Sequence, residues 1–353
     1  DRYYMELHQP LGVCGLISAW NIPFGLFSMK VGAALITGNT VVYRPSTDTP
    51  LDALIFAKLS QDILPPGVFN VVTGSSSTCG QRILDHPDVR KISFTGSVSV
   101  GQHVSVCAAQ RLVPATLELG GKSANIVFED CDFAKAIQRC LIGGLMNTGE
   151  FCAAGTRILV QESIFDKFAG GLAQGAQMFR PGAPWQEGTS MGSITNKSQY
   201  DTVLNYIEIG KAEGAKLLCG GHALTDEAHK DGFYIEPTIF EATNDMRIAQ
   251  EEIFGPVLVV IPFKDEEDAI RIANDSSYGL AGGVQTKDIG KALRVSSKVE
   301  CGLSWVNTYL DMPGGAAFGG YKNSGLGREL CAQTLNQFTQ IKGIMINASD
   351  GII

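Results

Sequence analysis

A cysteine closes a glycine-containing turn in Asn147-Thr148-Gly149-Glu150-Phe151-Cys152-Ala153-Ala154-Gly155-Thr156-Arg157, between a helical pattern and the strand Arg157–Gln161. Most cysteines of reducing compartments are small buried hydrophobes, so Cys152 takes its meaning from residues elsewhere. Glu118 stands in Leu117-Glu118-Leu119-Gly120-Gly121-Lys122, and Asn21 in Trp20-Asn21-Ile22-Pro23-Phe24. Taken singly, Glu118 reads as a strand-end carboxylate and Asn21 as a turn former before Pro23. Taken together, a thiol, a carboxylate and an amide are the nucleophile, base and oxyanion donor that acyl chemistry needs.

The elements that must position them follow from the rest of the chain. Leu11–Ala19 reads as a buried strand, and Trp20–Phe24 as the loop at its end. Phe27–Ile36 reads as a helix stopped by Gly38-Asn39. Strand Thr40–Arg44, helix Leu51–Ile63, strand Val68–Val72, helix Cys79–Asp85, strand Lys91–Thr95, helix Val98–Gln110 and strand Thr116–Leu119 follow. A second series starts near Gly121. It has strand Asn125–Phe128, helix Phe133–Leu145, the cysteine turn, strand Ile158–Gln161 and helix Ile164–Gln177, then a polar passage from Arg180 to Thr195 and helix Gln199–Glu213. Strands near Thr238, at Val257–Ile261, Leu280–Gln285 and Leu303–Val306 alternate with helices Glu266–Ala273 and Gly290–Ser296. The strand Gln340–Asn347 ends the series. Such alternation predicts open, largely parallel sheets with helices on both faces, and ligands at the carboxyl ends of the strands.

Length and composition narrow the function. With 353 residues, two domains are expected. Hydrophobic residues at 44% and charged residues at 18% fit a globular chain without long charge runs. A net charge of −8 disfavours nucleic acid or an anionic membrane as the partner. No apolar run reaches membrane-span length. The nine cysteines contain no CxxC pair, and the five histidines show no ligand spacing. No metal site or disulfide framework is therefore expected, and a cytoplasmic setting fits. Because the first residue is Asp1 and not Met, a fragment or processed form is expected, in which any targeting signal would have gone with the original N-terminus.

Over essentially its whole length the sequence resembles the NAD(P)-dependent aldehyde dehydrogenases. Gly149-Glu150-Phe151-Cys152 with Arg157 resembles the cysteine signature of that family, and Leu117-Glu118-Leu119-Gly120-Gly121 its glutamate signature. Phe94-Thr95-Gly96-Ser97, Glu252-Ile253-Phe254-Gly255-Pro256 and Phe318-Gly319-Gly320-Tyr321-Lys322-Asn323-Ser324-Gly325 resemble three more, in family order. The resemblance implies an α/β fold of two doubly wound, Rossmann-like open-sheet domains plus a small oligomerisation sheet. Residues 11–120 would form the cofactor domain without its N-terminal part, 121–322 the catalytic domain, and 1–10 with 339–353 the oligomerisation segment. A homodimer or homotetramer is implied for the complete chain.

The resemblance also implies roles. Cys152 would attack the aldehyde, Asn21 would hold the oxyanion, and Glu118 would activate the water that hydrolyses the thioester. NAD or NADP would be held by Trp20, Lys30, Arg44, Thr47, Gly96, Ser97, Glu252 and Phe254, with Lys30 and Arg44 at the adenosine ribose. No strict GxGxxG is present, and Gly96-Ser97-Val98-Ser99-Val100-Gly101 instead offers a helix N-terminus to the pyrophosphate. Ile22, Met29, Met146, Phe151, Met312 and Phe318 would line an apolar aldehyde channel. The sequence departs from the family pattern at Glu150 (commonly Gln), Arg44 (commonly Lys), Thr47 (Glu in many NAD-preferring members), Ala19 and Ala317 (commonly Pro). A CoA-acylating enzyme is a second reading, disfavoured by Glu118. A cysteine hydrolase would need His103, His222 or His229 as partner. An inactive binding or structural fragment is the last alternative.

Overall fold

The structure is a computed structural model that describes residues 2–348. The described chain forms two compact units, one of residues 2–118, 314–318 and 326–348, the other of residues 119–313 and 319–325.

In the first unit five parallel strands lie in the order Ala115–Glu118, Val89–Thr95, Val13–Ile17, Thr40–Arg44, Phe69–Val71. The two-residue strand Gly325–Leu326 follows Ala115–Glu118 at the edge. The chain starts in the middle, winds outward through Thr40–Arg44 and Phe69–Val71, then returns to the other side of Val13–Ile17. This reversal is a topological switch point, and it lies between Val13–Ile17 and Val89–Thr95. The carboxyl ends of those two strands lead into Trp20-Asn21 and Gly96-Ser97 respectively. Helix Pro23–Ile36 turns Leu26, Phe27, Lys30, Val31 and Ala34 inward at helical spacing. Phe27 packs on Tyr43, Phe56 and Phe69, with ring centroids 5.2, 4.8 and 5.8 Å apart.

Arg2–Pro10 pairs antiparallel with Thr339–Asn347, and all nine residues of Arg2–Pro10 are exposed. Of the segment expected to oligomerise, residues 1 and 349–353 lie outside the described residues.

The second unit holds a seven-stranded sheet in the order Leu303–Val306, Ala281–Gln285, Ala124–Val127, Arg157–Gln161, Val257–Phe263, Thr238–Glu241, Lys216–Cys219. Its pairs are parallel except the last, which is antiparallel. Val257–Phe263 shows why the sheet is covered on both faces. Val257, Val259 and Ile261 enter one core cluster, while Leu258 and Val260 enter the other. Helix Phe133–Leu145 begins at Asp132, whose side chain caps the Lys135 N–H. No helix of the described residues is long and apolar enough to cross a membrane.

The expected elements are present within a few residues, with additions. The helix expected at Cys79–Asp85 opens as a wider helical turn over Ser76–Gly80 before Gln81–Asp85. The edge strand Lys216–Cys219, the pair Tyr278–Gly279 with Tyr321–Lys322, and the short helices Arg247–Gln250 and Ala332–Asn336 had no clear period to announce them.

Candidate active site

In the first unit Glu118 ends its strand opposite Thr95 and is 2% exposed. Neither of its carboxyl oxygens has a hydrogen-bond partner among the described residues. Burial, reinforced by the negative charge of Glu329, holds its proton affinity well above the usual carboxylate range, against the opposing pull of Lys30 and Arg328.

Lys30 is not where the family resemblance implied. It lies on the apolar face of helix Pro23–Ile36, wholly enclosed. Its Nζ donates to Glu329 Oε1 at 2.7 Å and to Ser93 Oγ at 2.9 Å. The ammonium is thus engaged inside the core, and its charge acts on the Glu118 carboxyl. The sign was in the sequence: Lys30 falls three residues after Phe27 and four before Ala34, on the face that packs. Glu329 was missed altogether, because a lone acid in Gly327-Arg328-Glu329-Leu330 looks like surface until a buried lysine is known to need it.

The other residues singled out in this unit differ in burial and bonding. Trp20, Asn21, Ile22 and Met29 are half-buried. Ser97 caps helix Val98–Gln110, accepting from the Val100 N–H at 3.5 Å, and no acidic residue occupies the first turn. The Arg44 guanidinium is buried, and its Nε and Nη2 donate to the Gly74 carbonyl at 3.3 and 2.9 Å. Thr47 is exposed. Phe318 is buried and bridged antiparallel to Glu329.

In the second unit Cys152 is half-buried and emerges from an unusual backbone. Asn147, Thr148 and Gly149 all take left-handed φ values, 52°, 60° and 71°. Asparagine tolerates this, but a β-branched threonine there costs on the order of 1–3 kcal/mol. Gly149 has a second reason to lack a side chain: a Cβ would lie 2.2 Å from the Gly255 carbonyl oxygen. Beyond Cys152, a Cβ on Gly121 would lie 2.3 Å from the Cys152 carbonyl oxygen, so the segment after Glu118 backs the Cys152 main chain. Tyr309 Oη donates to the Ala153 carbonyl at 3.1 Å. Arg157, also buried, fixes the exit of the loop. Its guanidinium donates to the carbonyls of Lys122, Ile272 and Ala273 and to Asn244 Oδ1, at 2.8–2.9 Å.

Glu150 turns inward. Its Oε1 accepts from the Thr195 N–H and its Oε2 from Thr195 Oγ1, both at 3.1 Å. Burial pushes the carboxyl up to about 7 despite those two donors. Glu252 accepts from the Gly121 N–H at 2.9 Å and is likewise pushed up to about 7 by burial. Phe254, at φ 57°, is held by Gln199 Nε2, which donates to the carbonyls of both Ile253 and Phe254 at 2.9 Å. Met146 is exposed, while Phe151 and Met312 are half-buried. Among the described residues no group of three metal-ligating side chains occurs.

The comparisons agree with this architecture. The aldehyde dehydrogenase family model matches residues 1–344. An aldehyde dehydrogenase of Emericella nidulans is 45% identical over 348 residues, 98% of this chain and 69% of that protein. A betaine aldehyde dehydrogenase of Staphylococcus aureus, solved with NAD+, superposes with a TM-score of 0.97 at 39% identity, over 99% of this chain and 70% of that one. A mutant aldehyde dehydrogenase of Bacillus cereus gives 0.95 at 42% identity, over 98% and 70%. The chain belongs to the aldehyde dehydrogenase family. Its activity is that of an NAD(P)-dependent aldehyde dehydrogenase, which oxidises an aldehyde to a carboxylate through a thioester on a cysteine.

Proposed function

We propose that Cys152 is the nucleophile of this reaction, that Asn21 is an oxyanion donor and that Glu118 is the base for hydrolysis. The observation that carries this reading is the enclosed carboxyl of Glu118, whose oxygens have no hydrogen-bond partner among the described residues and whose proton affinity is raised. A base working near neutrality needs that elevation. The Cys152 sulfur bonds to the aldehyde carbon while the carbonyl electrons move to oxygen, where the Asn21 amide and the Cys152 N–H stabilise them. Each such donor is worth about 2.7–4 kcal/mol of barrier. When bound, NAD(P)+ supplies the acceptor for the hydride. Glu118 then takes a proton from water, the hydroxide adds to the thioester carbon, and the Cys152 thiolate departs.

The residues fit a dinucleotide in one respect the structure itself supplies. The first turn of Val98–Gln110 carries exposed Ser97, Ser99 and Val100 and no acid, which suits an anion. Trp20, Arg44, Thr47, Gly96, Ser97, Glu252 and Phe254 would hold the cofactor. An uncharged Thr47 and a cationic Arg44 favour use of NADP at least as readily as NAD. The apolar Ile22, Met29, Met146, Phe151, Met312 and Phe318 favour uncharged aliphatic or aromatic aldehydes over succinic semialdehyde. The exposed edges of Arg2–Pro10 and Thr339–Asn347, with Tyr3, Tyr4, Met5, Ile341 and Met345 outward, favour a homodimer or homotetramer.

The test of the roles is a pre-steady-state burst of reduced cofactor. Cys152→Ala is expected to give no burst while still binding cofactor. Glu118→Gln is expected to give one burst and then stall as thioester. Steady turnover in Glu118→Gln without added base would remove Glu118 from this role.

A further inference from the structure

Three elements converge on the turn that precedes Cys152, all within the second unit. Thr148 Oγ1 reaches the Gly192 carbonyl at 3.5 Å, Gly149 lies against the Gly255 carbonyl, and Glu150 is gripped by Thr195. The turn is also closed on itself: the Glu150 N–H donates to the Asn147 carbonyl at 3.0 Å, and Asn147 Nδ2 to the Glu150 carbonyl at 3.1 Å. The 192–195 segment is itself anchored. The Ile194 N–H donates to the Phe233 carbonyl, and the Phe233 N–H to Ser193 Oγ, both at 2.9 Å. The same region continues through Asn196, the cap of helix Lys197–Ala212, to Gln199, which holds Ile253 and Phe254.

We propose that Glu150 is a positioning residue whose two-pronged bond to Thr195 holds the left-handed turn 147–149 against an anchored segment and so sets the backbone, and the electrostatic surroundings, of Cys152. The proposal rests on Cys152 being the nucleophile. A relaxed Asn147-Thr148 pair would leave the left-handed region, where only glycine is at ease, and the main chain two and three residues on would follow it. A bond to both carboxyl oxygens from one residue restrains direction as well as distance. The clamp survives protonation, because a neutral carboxyl accepts from the Thr195 N–H and donates to Thr195 Oγ1. What changes is charge. Burial and the two Thr195 donors act on the Glu150 proton, and the carboxyl is pushed up to about 7. Below that pH the turn is neutral. Above it a carboxylate two residues from Cys152 opposes formation of the thiolate.

Two measurements test this. The first is the rate at which iodoacetamide alkylates Cys152, followed on the Cys152 peptide by mass spectrometry because the chain has nine cysteines. Glu150→Gln keeps an acceptor for the N–H and a donor for the hydroxyl but carries no charge. It should react about threefold faster than the parent at pH 8 and at the parent's rate at pH 6. The second is turnover with a good aldehyde. Thr195→Val, which lacks the hydroxyl, should lower kcat by about tenfold with KM little changed, since a misplaced reacting group loses rate before binding. Thr195→Ser, which restores the hydroxyl, should recover most of that loss. An alkylation ratio that is the same at pH 6 and pH 8, or an unchanged kcat in Thr195→Val, would overturn the proposal. Alkylation needs no aldehyde turnover. A failure of the nucleophile assignment would instead appear as turnover persisting in Cys152→Ala.

Discussion

Glu118 in the first unit and Glu150 in the second are both buried glutamates, 2% and 3% exposed, yet they are held in opposite ways. Both oxygens of Glu150 accept hydrogen bonds from Thr195, which pull against burial, and its carboxyl is pushed up to about 7. Glu118 accepts none among the described residues and feels the negative charge of Glu329, and it is held well above the ordinary range. Burial alone does not decide what a carboxyl does. Donors bring a buried acid back toward titration near neutrality, where it tunes a neighbour. Their absence, with a like charge nearby, raises the proton affinity, which suits a carboxylate that is to take a proton from water.

The contrast can be broken most forcefully at Glu329. Glu329→Gln removes the charge that opposes ionisation of Glu118 but strands the Lys30 ammonium in the core. A loss of about 3–5 kcal/mol is expected in urea unfolding at pH 7. Lys30→Met with Glu329→Gln should recover much of it, because no charge is then left buried. A single Glu329→Gln variant as stable as the parent would mean that the Lys30 ammonium finds another counter-charge.

The next effect is the pH dependence of stability. A carboxyl raised on folding binds its proton more tightly in the native chain. Its contribution is therefore complete below its ordinary value of 4.5 and is lost as pH rises through the folded value. Glu150 should account for a decline of roughly 2–3 kcal/mol between pH 4.5 and about 7, and for nothing beyond it. Glu118, raised in the same direction, should contribute a decline of the same sign. Urea midpoints measured from pH 5 to 9 in Glu118→Gln and Glu150→Gln separate the two. Glu150→Gln should flatten only the acidic half of the curve. If it leaves the acidic half unchanged, the raised carboxyl of Glu150 is wrong.

The smallest effect lies outside both clusters. A glutamate at position 47 would accept from the ribose hydroxyls and repel a 2′-phosphate. Thr47→Glu should then shift the NAD to NADP ratio of kcat/KM toward NAD by about tenfold, or roughly 1.4 kcal/mol. A parent that prefers NAD more than tenfold, unchanged by the substitution, would remove Arg44 and Thr47 from cofactor choice.

The sequence was most legible where periodicity was strong. Thr40–Arg44, Val98–Gln110, Phe133–Leu145 and Leu303–Val306 have the expected bounds, because apolar spacing and turn residues agreed there. Cys152, Glu118 and Asn21 were readable as candidates because three chemically complementary types stood in distinctive settings. The partners of buried charges were not. Glu329 lies 299 residues from Lys30, and Thr195 lies 45 from Glu150, and no local pattern joins them. The carboxyl of Glu150 was open to either direction in the sequence. Only the structure turns it to Thr195.

The same long-range bond bears on how the chain is made. The second unit is nearly continuous, 119–313, whereas the first needs residues from both ends of the described chain. Its core is closed by the Lys30–Glu329 ion pair and by Asn39 Nδ2, which donates to the Phe338 carbonyl, each spanning 299 residues. On the ribosome, the helix Pro23–Ile36 emerges with its lysine unpaired and must wait for almost the whole remaining chain. At roughly 5–20 residues per second that wait lasts on the order of 15–60 s. Until then the lysine side of that helix stays in water or against a chaperone. Helix Pro23–Ile36, made early among the described residues, is thus among the last to reach its native burial.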